Sequence, residues 1–126
     1  MNGDPSYWWE LVEYDLETAR AMLSTGRYVY VGFMCHSVIE KSLKAVIAAN
    51  GSMPPKSHNL TRLAELAGLS DQFSAEQQAV LDALLPLNLE ARYPVDRARL
   101  AREFDASLCA RVLAQTEELS AWIKAK

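Results

Sequence analysis

Arg27-Tyr-Val-Tyr-Val-Gly-Phe-Met-Cys-His-Ser-Val-Ile-Glu-Lys-Ser-Leu-Lys-Ala-Val-Ile-Ala-Ala-Asn50, closed by Gly51, is the stretch on which the fold turns. Tyr28, Val31, Phe33, Met34, Val38, Ile39, Leu43, Val46 and Ile47 cover most of a helical circumference. A helix that is apolar nearly all round belongs inside a bundle, so this segment reads as the central helix. One arc is polar. His36, Glu40 and Lys44 lie one turn apart, with Ser37 and Lys41 beside them, and the Glu40 to Lys44 spacing suits an ion pair along the helix.

Upstream, Asp4-Pro5 has the form of an N-cap followed by proline at the first helical position, and Gly26 supplies a left-handed stop. Between them Trp9, Val12, Leu16, Ala19 and Leu23 recur at spacings of three and four, which lays one apolar stripe along a first helix. Glu10, Glu13, Glu17 and Arg20 form a neighbouring solvated stripe.

Downstream, Gly51 to Ser57 contains two prolines and forms a loop, after which Ser57 or Asn59 caps a short helix ending near Gly68. Ser74 with Gln77 three residues on has the pattern of a capping box for a further helix carrying Val80, Leu81, Leu84 and Leu85 inward. Pro86 kinks or ends that helix, and Pro94 stops what remains. The last helix starts at Asp105, or earlier at Asp96, and buries Leu108, Val112, Leu119 and Ile123. No β-alternation or repeat interrupts the helical patterns, so the fold class is an all-α bundle. With 126 residues, half of them hydrophobic, the chain suits one domain, 1–126, and not two.

Composition narrows the function. Net charge is −3, so no global positive field advertises nucleic-acid binding, and any anionic partner is recognised locally. The apolar runs are too short to span a bilayer, and the cytoplasm is the expected compartment. Cys35 and Cys109 are far apart with no C-x-x-C pairing, and are expected as reduced, packed thiols. Charge is blocked along the chain. Residues 27–63 carry five basic residues and one acidic, and residues 91–102 carry four and one, whereas residues 64–90 carry five acidic residues and no basic one. The two basic islands, Lys41, Lys44, Lys56, His58 and Arg62 in one and Arg92, Arg97, Arg99 and Arg102 in the other, either converge into an anion site or remain separate solvated faces.

Four ordered pieces carry a family resemblance: Tyr14-Asp15-Leu16-Glu17-x-Ala19, Glu40-Lys41-x-Leu43-Lys44-Ala45, Ser57-His58-Asn59-Leu60 and Ala91-Arg92-Tyr93-Pro94. Together they resemble the HEPN family, the helical domains named for higher eukaryotes and prokaryotes nucleotide binding, over about residues 7 to 124. The resemblance implies an up-and-down bundle of four or five helices, often dimeric. Its members bind nucleotides, cleave RNA, or accompany a minimal nucleotidyltransferase. The function expected here is a nucleotide-associated accessory or interaction module, the partner of a separate minimal nucleotidyltransferase. A toxin-type ribonuclease and a ligand-free dimerisation module are the alternatives.

The residues present bear on those alternatives. Ribonuclease members of the family place a histidine four to six residues after an arginine, so that guanidinium and imidazole act on one phosphate. Here Tyr30, Val31 and Gly32 precede His36 at those distances, and Ser52, Met53 and Pro54 precede His58, so the sequential pair is absent. An enzymatic reading must instead join Arg92 to His58 in space. The candidate anion site consists of Glu40, Lys41, Lys44, His58, Arg92 and Tyr93. In it Arg92 offers bidentate phosphate contacts, Tyr93 a stacking surface and the lysines compact charge. Each has a plainer role: His58 can bond a neighbouring carbonyl, and Arg92 can tie its helix end to Glu40 or Glu90. No glycine-rich phosphate loop and no spaced set of metal ligands occurs, so neither cofactor nor metal is expected. Trp8, Trp9 and Trp122 read as packing anchors where the terminal helices meet. Tyr28, Val29, Tyr30, Phe33 and Met34 would make a sticky patch if exposed together, which points to a homodimer through the first or second helix.

Overall fold

A computed structural model describes residues 3–90, 99 and 102–126. Its helices are α1 (Pro5–Ser24), α2 (Tyr28–Ala49), α3 (Leu60–Leu66), α4 (Ala75–Leu84), α5 (Leu87–Glu90) and α6 (Ala106–Lys124). The starts follow the capping chemistry of the sequence. Asp4 accepts from the Ser6 N–H, Asn59 from the Arg62 N–H and Asp105 from the Leu108 N–H, and Ser74 and Gln77 form the full capping box. Of the two starts open for the last helix, Asp105 is the cap of α6. Arg102 and Glu103 are already helical, and Asp96 and Pro94 lie outside the described residues.

Gly51 shows how the long helix ends. Its φ of +89° lets the Ser52 N–H reach back to the Ile47 carbonyl while its own N–H bonds Ala48, a Schellman closure that a side chain would strain. Pro86 stands in the turn that separates α4 from α5.

The helices form an up-and-down bundle. α2 runs antiparallel to α1, because Trp8 packs on Ala45 and Ala48 while Asp15, two turns further along α1, meets Lys41 and Ser37. α6 lies parallel to α2: the Cys109 thiol donates to the Tyr28 carbonyl near one end, and Ser42 shares a 2.7 Å hydrogen bond with Ser120 nearer the other. Phe73, just before α4, stacks at 5.3 Å on Trp122 near the end of α6, so α4 returns antiparallel to it. The close fit is tightest at Gly32, where an added Cβ would stand 3.1 Å from Leu87 and 3.3 Å from Phe104.

α2 is central, as its sequence requires. Val31, Cys35, Val38, Ile39, Leu43 and Ile47 are buried, and α1 adds Val12, Leu16 and Ala19 to the same core. Each Leu or Ile so buried contributes about 1.5–3 kcal/mol. Two expectations need correction. On α6, Leu119 and Ile123 are buried as expected, but at the start of the helix Cys109 and Leu113 turn inward while Leu108 is half-buried and Val112 packs half-buried on the core, because there the inward stripe is set one position later. Of the five residues expected to make a sticky patch on α2, only Tyr30 is exposed; Val29 is buried against Phe33 and Phe104. Among the described residues no helix is long and apolar enough to cross a membrane.

Candidate functional site

The polar arc of α2 faces two different neighbours. On the α1 side Asp15 is 4% exposed, and one of its oxygens accepts from Lys41 Nζ at 2.6 Å and from Ser37 Oγ at 2.7 Å. On the other side Glu40, also buried, divides its two oxygens. Oε2 accepts from Lys44 Nζ at 3.1 Å, and Oε1 lies 2.9 Å from His58 Nδ1. Lys44 follows Glu40 by one helical turn, which sets the pair by backbone geometry alone. Its ammonium is itself buried and lies 5.5 Å from the Trp8 ring centroid, where the negative face of the indole adds a second attraction.

His58 is brought to Glu40 by the α2–α3 loop. Gly51 turns the chain off α2, Pro54 is buried, and the Ser57 hydroxyl accepts from the Asn59 N–H just before Asn59 caps α3. The ring stays about half exposed, with 54% of the side chain open to solvent. When Nδ1–H donates to the Glu40 carboxylate, the neutral ring keeps Nε2 as an acceptor, and the protonated ring offers a second N–H. His36, one turn before Glu40 and fully buried, sets its Nδ1 3.7 Å from the same Glu40 oxygen.

The geometry has a clear electrostatic content. Glu40 cancels Lys44, and Asp15 cancels Lys41, so neither lysine is a spare cation. The Glu40, Lys44 and His58 group is neutral with a neutral imidazole and carries one positive charge once His58 is protonated. A buried carboxylate orienting a half-exposed imidazole can receive or deliver a proton at the surface, or donate a hydrogen bond to an anion.

Of the six residues in the sequence-derived site, Glu40, Lys44 and His58 converge. Lys41 is drawn one position round the helix to Asp15, and Arg92 and Tyr93 lie outside the described residues. Sequence reasoning placed His36 on the polar arc but missed Asp15 as the partner of that arc across the α1–α2 contact. Asp15 had a signal: it falls three residues after Val12 and four before Ala19, an acid on the inward stripe of α1. Among the described residues no group of three His, Cys, Asp or Glu side chains is disposed to hold a metal ion.

No curated protein and no solved structure shows significant similarity to the chain. The description HEPN domain, by contrast, matches residues 5–126, essentially the whole chain, and that family has nucleotide- and RNA-related functions. Matched from the first turn of α1 to the end of α6 and folded as an all-α bundle, the chain belongs to the HEPN domain family.

Proposed function

We propose that the chain is a nucleotide-associated accessory module, the partner of a separate minimal nucleotidyltransferase, and that it receives nucleotide phosphate beside His58. The observation that carries this reading is the Glu40 carboxylate holding Lys44 and the half-exposed His58 imidazole together. Protonated His58 supplies a charge-assisted hydrogen bond to a phosphate oxygen, and Glu40 keeps the ring aimed. The reading assigns Arg92, on its sequence alone, a bidentate guanidinium contact to the phosphate and Tyr93 a stacking ring. Calorimetric titration with nucleoside mono- and triphosphates tests it. Binding is expected for the wild-type chain and lost in His58→Ala and Arg92→Ala variants that keep the helical circular dichroism. Unchanged affinity in both would sink the site.

The carboxylate–imidazole pair also favours a second reading, a ribonuclease in which His58 moves the proton and Arg92 holds the scissile phosphate. The absence of the sequential arginine–histidine pair weighs against it. Structured and unstructured RNA incubated with the chain without added metal should stay intact. Cleavage abolished by His58→Ala and by Arg92→Ala, but not by the exposed control Arg111→Ala, would select the enzyme.

A further inference from the structure

The outward face of α1 carries a second pattern that the phosphate site does not use and that touches the core only at its inner edge, through Leu11 on the Trp8, Ala45 and Ala48 cluster and the edge of the Tyr7 ring on Trp8. Tyr7, Leu11, Tyr14 and Thr18 follow one another at spacings of four, three and four, the rhythm of a coiled-coil seam, over about 16 Å of helix. Tyr14 is 69% exposed and Tyr7 41% exposed, with Leu11 and Thr18 half-buried between them. The Thr18 hydroxyl is engaged on its own helix, donating to the Tyr14 carbonyl at 3.0 Å. Met53, 65% exposed, adjoins the N-terminal end of this line, where a Cβ at Gly3 would lie 3.7 Å from its Cε. Single exposed apolar side chains are ordinary. Among the described residues, however, three of the five large exposed ones gather along this edge, and such alignment marks an interaction surface.

Charge decides what the seam accepts. Glu10 and Glu17, each three residues after a seam tyrosine, are exposed along one edge. Residues 1–19 contain no lysine or arginine, and the first basic residue, Arg20, is engaged by Glu117 at 2.6 Å. A second copy laid on the seam meets acid with acid. Run antiparallel, it sets Glu10 against Glu17 of its mate, and run parallel it offers Glu10 and Glu17 no free cation, because α1 has no basic residue before Arg20 and Arg20 is held by Glu117. Lys or Arg at the facing positions turns the same edge into an attraction.

We propose that the α1 seam docks an amphipathic helix of a different protein, one with apolar residues at the same three and four spacing and a basic edge facing Glu10 and Glu17. It stands apart from the phosphate site and does not depend on it.

The probe is a labelled synthetic helical peptide with Leu and Ile at seam spacing and Lys along one edge, titrated with the full chain by fluorescence anisotropy, alongside a twin bearing Glu at the Lys positions. The Lys peptide is expected to bind and the Glu twin to fail. Tyr14→Ala should weaken binding roughly tenfold or more, as loss of a central aromatic anchor does. Paired Glu10→Lys and Glu17→Lys changes should invert the preference. These positions are solvent-facing, and circular dichroism confirms that each variant keeps its helices. Equal binding of both peptides, or of neither, overturns the proposal. So does a dimer in sedimentation that Tyr14→Ala dissociates, since the occupant would then be a second copy.

Discussion

Glu40 and His58 are 18 residues apart in the chain and 2.9 Å apart in space, joined by a loop that begins at a left-handed glycine and ends at an asparagine cap. The carboxylate is buried and the imidazole half exposed, so the pair links the interior of the bundle to its surface.

Removing the Glu40 charge strands a buried ammonium. Glu40→Ala should destabilise the fold by about 3 kcal/mol, the scale for breaking a buried ion pair on one side, as read by urea denaturation. Adding Lys44→Met should restore much of that loss, because no uncompensated charge then remains. A double variant as unstable as the sum of its parts would show that the two groups do not act as a pair.

Asp15 presents a milder case, since it holds one ammonium and one hydroxyl at the α1–α2 contact. Asp15→Asn should cost about 1–3 kcal/mol, the range for losing a charged acceptor under buried donors. Lys41→Met should cost less, because the Lys41 side chain is 23% exposed and water already screens it. Thermal melts of the two variants rank them.

Between α2 and α6, the Ser42 hydroxyl donates to the Val38 carbonyl and so accepts from the Ser120 hydroxyl in the core. Ser120→Ala leaves a buried hydroxyl with one fewer partner and should cost about 1 kcal/mol. The Ser42→Ala, Ser120→Ala double variant should sit close to the single one in stability, because both polar groups have gone. Strict additivity in the denaturation midpoints would contradict this.

Helix positions were legible in the sequence because they rest on local chemistry. Asp4, Asn59, Ser74, Asp105 and the glycines at 26, 51 and 68 act on their own backbone neighbours, and a reader of spacing finds them. The convergence of Glu40 with Lys44 was also local, one turn along α2. What spacing could not supply was the partner across a gap. Lys41 looks like Lys44 on a helical wheel, yet the presence of Asp15 on α1 decides that it turns away. Similarly, Leu108 and Cys109 compete for the inward stripe of α6, and only the placement of Tyr28 opposite settles which one packs. His58 reached Glu40 through a loop whose path depends on burying Pro54, a tertiary fact with no signature in the loop itself.

Both thiols are shifted by their surroundings. Burial pushes Cys35 up to about 11, with the neighbouring Thr116 hydroxyl pulling partly the other way, and burial likewise raises Cys109 to about 11. In the unfolded chain they ionise near the ordinary 9.0, so between those values the unfolded state releases its protons first. The stability due to the protonated thiols is therefore whole below about pH 9 and falls as pH rises towards 11. A thiol reagent at pH 8 should modify the native protein slowly and the denatured protein at once. Fast labelling of the native chain would place a thiolate where burial forbids it.

The hydrogen bond between Ser42 and Ser120 spans 78 residues of sequence, whereas α1 and α2 join through a tight turn at Gly26. Closing a long segment is entropically slower than closing a hairpin, so the α1–α2 pair is expected to nucleate folding and α6 to dock afterwards. Substitutions along Val12, Leu16 and Val38 then retard folding, while Ser120→Ala leaves the folding arm of the chevron unmoved and accelerates unfolding. On that order, the lifetime of the native state is set by how firmly the last helix is held, and stopped-flow unfolding that Ser120→Ala fails to accelerate would contradict it.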